Sequence, residues 1–202
     1  MLAAIGVITI VSVGIIFAGN DSAEPDSNSF SFTYDGANKD LQALLSESDI
    51  HVSSPLKLNG FSIEKYCTFF ADESIQKSIE YCTSTEILDS RGQFLGNIQM
   101  VGSAHRPEYV IAAIQTDSIM SQSQDLKTII QTTIRTLVCQ CWEEESPGGF
   151  ATVSEWIDAA DMHHKQGTKP TSQSRISGLA GNQLLLEITT NDEGYLWKFV
   201  IS

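Results

Sequence analysis

No lysine or arginine occurs before Lys39 in this 202-residue chain, and residues 1–19 carry no charged side chain of either sign. A secretory signal peptide opens on a basic region and closes on a small-x-small cleavage site. Neither is present: Ala18 has Ile16 two residues back, Ala23 has Asp21, and no cysteine follows closely enough to take a lipid. At ~1.5 Å of rise per residue such a segment, if helical, just reaches across a bilayer core of ~30 Å. These absences favour an uncleaved transmembrane signal anchor over a cleaved signal. No Lys or Arg stands beside the segment to orient it, and the acidic Asp21, Glu24 and Asp26 on its outgoing side say little about topology; the expected arrangement is a single pass of the cell membrane with the C-terminal domain outside the cytoplasm.

Positive charge is scarce throughout. Twelve Lys and Arg stand against 25 Asp and Glu, a formal charge of −13, and no basic cluster occurs anywhere. Affinity for nucleic acid comes largely from cations neutralising phosphates, so no nucleic-acid partner is expected, and an anionic lipid surface would repel the chain. The acidity serves solubility. Catalytic signatures are missing too: the sequence holds no Gly-x-Ser-x-Gly, His-Glu-x-x-His, Cys-x-x-Cys, phosphate-binding glycine loop or dinucleotide fingerprint. The reading is a non-enzymatic domain without a cofactor.

Composition divides what is there into three parts. Residues 20–55 are rich in Ser, Asp and Asn, too polar to offset the entropy of ordering, and read as an acidic stalk. Leu41, Leu44 and Leu45 form the exception, a short helix able to dock on the domain. Residues 56–202 have the size of one domain with its own core.

Within that domain, Ile79, Tyr81, Thr83, Thr85 and Ile87 alternate on one strand, and Phe94, Gly96, Ile98 and Met100 on the next, across the turn Asp89-Ser90-Arg91-Gly92. Pairing Leu88 with Gln93 sets Ile87 against Phe94, Thr83 against Ile98 and Tyr81 against Met100. Val110 to Ile114 is apolar on both faces, as a central strand requires. Leu126, Ile129, Ile130, Ile134, Leu137, Val138, Cys141 and Trp142 recur at helical spacing and predict one helix from Ser123 to Glu145, capped by Ser123 or Asp125. Thr152-Val153-Ser154-Glu155 is a capping box opening a second helix that runs to about His164. Leu184, Leu186 and Ile188 then face Tyr195, Trp197, Phe199 and Ile201 across Asn191-Asp192-Glu193-Gly194. The expected fold is α+β: an N-terminal transmembrane helix, then one domain of antiparallel sheet packed against two helices.

The capped helix, the run Arg175-Ile176-Ser177-Gly178-Leu179-Ala180-Gly181-Asn182 and a last strand through Trp197-Lys198-Phe199 make residues 152–202 similar to the C-terminal part of PsbP/Mog1-like domains. The resemblance implies an antiparallel sheet backed by helices, and an assembly or partner-binding role.

Four cysteines carry the distinctive chemistry. Cys67 and Cys82 sit in a near-repeat, Ile63-Glu64-Lys65-Tyr66-Cys67-Thr68 and Ile79-Glu80-Tyr81-Cys82-Thr83. Were these adjacent antiparallel strands, the two thiols would face each other at disulfide distance, and an exported domain oxidises such pairs. Cys139 and Cys141 lie about 200° apart on a regular helix, so a bond between them is strained and crossing bonds to Cys67 and Cys82 stay open. For a metal, the candidates are His163 and His164 with Asp161, although neighbouring helical histidines point ~100° apart and also suit a helix C-terminus. Two functions remain: a membrane-anchored binding or assembly module of the cell envelope with a protein partner, or an exported redox or metal-handling protein.

Overall fold

The computed structural model describes residues 30–202. The chain runs through α1 (Tyr34–Ser46), β1 (His51–Val52), β2 (Leu56–Asn59), α2 (Phe61–Tyr66), α3 (Glu73–Ser78), β3 (Tyr81–Leu88), β4 (Phe94–Gly102) and β5 (Pro107–Thr116). It continues through α4 (Ser123–Leu137), α5 (Trp142–Glu145), α6 (Val153–Gln166), β6 (Thr171–Leu179), β7 (Asn182–Asn191) and β8 (Gly194–Ile201). The strands form one eight-stranded antiparallel sheet ordered β1-β3-β4-β5-β8-β7-β6, with β2 also paired to β3.

This corrects the expected fold in two respects. Six α-helices occur among the described residues, where two packed on the sheet and a short one at Leu41 to Leu45 were expected, and no described helix is long and apolar enough to cross a membrane. Residues 1–19, on which the expected anchor falls, lie outside the described residues, as does the polar run that follows them as far as residue 29.

Period-two alternation gives the sheet two apolar faces. On one, Ile98 pairs with Ala112, Ala112 with Phe199 and Phe199 with Leu186, a row crossing four strands. These residues share the main core with Leu41 and Leu45 of α1, Ile130 and Ile134 of α4, and Trp156 and Ile157 of α6. On the other face, Leu58, Cys82 and Val101 stand in register, as do Ile111, Val200 and Leu185, and with Ile63, Cys67, Phe70 and Ile79 they make a second core. A sheet buried on both sides explains why Val110 to Ile114 reads as a continuous apolar run.

Helix α1 moves the domain boundary. It lies inside the expected stalk, yet Leu41 and Leu45 are fully buried. Thr33 caps it, its Oγ1 accepting the Gly36 N–H at 3.2 Å. Asn38, polar in a segment read as solvated, is buried because both ends of its amide are occupied. Its Nδ2 donates to the Tyr34 carbonyl at 2.8 Å, and its Oδ1 accepts from Thr85 Oγ1 at 2.7 Å. The expected docking of Leu41 and Leu45 is therefore found, while Leu44 stays exposed.

The first long hairpin keeps its faces and changes its register. The loop closes on Asp89 and Gln93, whose backbone N–H to carbonyl bond is 2.8 Å. Leu95 then bulges, so that Ile87 meets Gly96, Thr85 meets Ile98 and Thr83 meets Met100. A total shift of two residues preserves parity. The bulge also turns Leu95 into the core and leaves Phe94, expected inside, exposed. The C-terminal hairpin has the expected register, with Leu186 on Phe199 and Ile188 on Trp197. It closes at Gly194, whose φ of +132° and contact with the Thr116 carbonyl leave no room for a Cβ.

Candidate functional site

The cysteines pair within each half of the sequence: Cys67 with Cys82, and Cys139 with Cys141. The first bond arises by a route other than the expected strand pair. Ile63 to Tyr66 is helical, and Cys67 caps α2, its N–H donating to the Ile63 carbonyl at 2.9 Å. Strand β2 takes the place beside β3 instead, with Leu58 opposite Cys82. Because Cys82 is on the strand parity opposite Ile87, it projects into the second core, and both sulfur-bearing residues are completely buried.

That bond is one of several ties on the segment from β2 to α3. The Gln76 side chain clasps it, donating from Nε2 to the Cys67 carbonyl at 2.9 Å while Oε1 accepts the Phe69 N–H at 3.0 Å. Asp72 caps α3 by accepting the Ser74 N–H at 2.8 Å, and the bond it accepts from the Ser74 hydroxyl at 2.6 Å, together with the backbone bonds from Ser74 and Ile75, holds its carboxyl below the usual carboxylate range. Phe70 packs on Tyr109 with ring centroids 4.6 Å apart. What this anchored segment presents outward is apolar: Leu56 is 60% exposed, Phe61 90% and Tyr66 57%. Lys57 and Lys65 flank it, Lys57 paired with Asp35 at 2.8 Å and the Lys65 ammonium 5.0 Å from the Tyr66 ring centre. No motif marks these residues in the sequence. Their signal is negative: in Phe61-Ser62-Ile63-Glu64-Lys65-Tyr66 a helix six residues long has one inward position, Ile63, and therefore cannot bury its two aromatic residues.

The second bond, expected to be strained on a regular helix, forms where the helix has ended. Helix α4 stops at Leu137, with Val138 as its C-cap at φ −111° and ψ −73°. The Val138 and Cys139 N–H groups both donate to the Ile134 carbonyl, at 2.9 and 3.1 Å. Beyond this end the regular 100° advance no longer applies, and the two Cα atoms approach to 5.2 Å. The Cys141 N–H donates to Cys139 Sγ at 3.2 Å. Glu143, Glu144 and Glu145 fall in the first turn of α5, not at the end of a long helix. The core stripe nevertheless continues through the break, since Trp142 packs on Trp156 at 5.7 Å between ring centres.

The histidine candidates separate. His164 is buried, with Nδ1 2.9 Å from Ser172 Oγ and Nε2 2.8 Å from Thr190 Oγ1, so both ring nitrogens are taken by hydroxyls. Burial pushes its pKa down, opposed by the Asp161 carboxylate. His163 points to an open depression on the outer side of α6 beside Asp158 and Met162. Asp161 pairs with Lys165 at 2.7 Å. Among the described residues no group of three His, Cys, Asp or Glu side chains is arranged to hold a metal ion.

Comparison with family models, with curated proteins and with solved structures yields no match to this chain.

Proposed function

We propose that this protein is a binding or assembly module of the cell envelope that works outside the cytoplasm, associates with a membrane through its uncharged residues 1–19, and docks a protein partner on the segment Leu56 to Tyr66. The observation that carries this reading is the exposure of Leu56, Phe61 and Tyr66 on a segment held rigid by a buried disulfide, a strand ladder and the Gln76 clasp. Large apolar side chains left in water on a pre-organised surface are what protein interfaces are made from, and aromatic anchors dominate their energetics. A fully buried disulfide also suits a compartment that oxidises thiols during folding. The similarity of residues 152–202 to PsbP/Mog1-like domains points the same way, toward partner binding.

The test is site-specific photocrosslinking in intact cells. A crosslinker placed at position 61 or 66 should give one discrete adduct that position 192, on the distant β7–β8 turn, does not give, and Tyr66→Asp should abolish the adduct from position 61. Identical adducts from all three positions, or none from 61 and 66, would overturn the docking surface. Protease added outside intact cells should reach the domain. A domain protected until the cells are lysed would overturn the location.

The alternative, an exported redox or metal-handling protein, gains from the second disulfide on its redox side only. His164 and Asp161 are already committed to protein partners.

A further inference from the structure

The two disulfides differ in burial and in the length of chain each one closes. Cys67 and Cys82 are completely buried, and the loop between them spans 15 positions of sequence. Cys139 and Cys141 are only partly buried, the exposed Gln140 alone separates them, and the bond lies in a turn between two helices. The stabilisation a disulfide supplies through the unfolded chain grows with the loop it closes, so the Cys139–Cys141 bond does close to the least a disulfide can do for the fold. Exposed bonds that are not needed structurally are the labile ones. The turn also provides for the reduced state. The Cys141 N–H already points at Cys139 Sγ from 3.2 Å, and a hydrogen bond to a thiolate favours the charged form.

We infer that Cys139–Cys141 is a redox-exchange site, a two-electron dithiol/disulfide couple that reacts with an external dithiol while Cys67–Cys82 stays closed. The balance is explicit. A thiolate of the external dithiol attacks Cys141 Sγ; the Sγ–Sγ bond breaks and its electron pair leaves on Cys139 Sγ, facing the Cys141 N–H. The second thiol of the reductant then attacks its own sulfur in the mixed disulfide and displaces Cys141 as a thiolate. Two protons from the reductant end on the two cysteines, the protein disulfide is reduced, and the external dithiol is oxidised to a disulfide. Run in reverse, the protein oxidises and its partner is reduced. Charge selects the partner: between Arg135 and Glu145 the chain has one cation and three carboxylates, on a molecule of formal charge −13, so neutral or cationic thiols are favoured over anionic ones. This site is independent of the docking surface at Leu56 to Tyr66.

The experiment incubates the full chain, without denaturant, in dithiothreitol redox buffers of stepped ratio, quenches by alkylation and maps the labelled peptides. Cys139 and Cys141 should label together at ratios where Cys67 and Cys82 remain unlabelled and tryptophan fluorescence is native. Initial reduction by cysteamine should exceed that by mercaptoethanesulfonate roughly tenfold at low salt, and the gap should close in molar salt. Cys139→Ser should leave the Cys141 thiol able to form a stable mixed disulfide with cystamine, releasing one cysteamine. The double variant Cys139→Ser/Cys141→Ser should fold, keep Cys67–Cys82 and lose the exchange. Labelling of all four cysteines together, only as the fold is lost, would overturn the inference, as would a Cys139–Cys141 bond that outlasts Cys67–Cys82.

Discussion

Asn38 of α1 and Thr85 of β3 are joined by a buried hydrogen bond of 2.7 Å between Thr85 Oγ1 and Asn38 Oδ1, 47 residues apart in sequence. Asn38 Nδ2 completes the link to Tyr34 O and, at 3.3 Å, to Thr83 Oγ1. Through this pair a helix preceded by a polar, acidic run becomes part of the core. Thr85→Val keeps the shape and strands the Asn38 oxygen, so it should cost about 1–3 kcal/mol in denaturant unfolding, whereas the double variant Asn38→Leu/Thr85→Val should recover part of that loss. Additive losses from the two substitutions would show that the pair is not coupled.

The Cys67–Cys82 disulfide supports the fold. Closing a loop of 15 sequence positions contributes about 3 kcal/mol in the chain-entropy model. Cys67→Ala/Cys82→Ala should lower stability by about that amount and shift the urea midpoint, while Cys139→Ser/Cys141→Ser should shift it far less. Removal of Cys67–Cys82 should also loosen α2 and α3 first, detectable as faster amide exchange across residues 61–78 than in the sheet.

Much of this was legible in the sequence, and the exceptions share a cause. The strand faces, the central strand, the C-terminal register and the capping box at Thr152 follow from short-range patterns, and Thr152 Oγ1 does accept the Glu155 N–H at 3.1 Å while Glu155 reaches back to the Ala151 N–H at 2.9 Å. What was not legible depended on distant partners. Asn38 is buried only because Thr85 and Thr83 meet it. Cys67 is helical in its approach because β2, not the near-repeat, occupies the edge beside β3. The stripe from Leu126 to Trp142 reads as one helix because Trp142 remains in the core across a break that periodicity cannot register. At the candidate site, the cysteines were visible by type, while their pairing stayed open, since the near-repeat suggested Cys67 with Cys82 through a strand pair that does not form. The exposed aromatic pair was not, since apolar residues in a short segment look the same whether they face core or solvent.

Ile134 tests which face of α4 meets the core. It is fully buried, and Ile134→Ala should cost about 2–5 kcal/mol through lost burial and the cavity left behind. Arg135, one residue on and exposed, should tolerate Ala within about 0.5 kcal/mol. Comparable losses from both would place the helix in a different orientation.

His164 makes stability depend on pH. Burial lowers its pKa from the usual value, His163 and Lys165 act in the same direction, and Asp161 opposes them. In the unfolded chain the imidazole gains a proton near the ordinary histidine pKa of about 6.5, while the folded ring stays neutral to lower pH. The unfolded state then binds more protons, so stability held above about 6.5 is lost as pH falls through the folded value. His164→Gln should melt lower at pH 7.5 because the Ser172 and Thr190 bonds are disturbed, yet show a flatter decline between pH 7 and 5 than the parent chain. Parallel declines would exclude His164 as the source of that slope.

The C-terminus is the last test, because the final strand is interior to the sheet. Strand β8 lies between β5 and β7, and Ile201 pairs with Val110 on one side and Leu184 on the other. Ser202 extends the ladder, exchanging backbone hydrogen bonds of 2.8 and 3.0 Å with Gln183. Val200 and Ile201 are buried on opposite faces, one in each core. Deleting residues 200–202 removes two buried side chains, each contributing about 1.5–3 kcal/mol, and strips partners from both neighbouring strands at once. Against a total stability of about 5–15 kcal/mol for an ordinary domain, that loss should leave a chain without a cooperative thermal transition and open to proteolysis. Deleting Ser202 alone should spare the fold and cost only its ladder bonds. A truncated chain that still melted cooperatively near the parent temperature would mean that β8 does not join the two halves of the sheet.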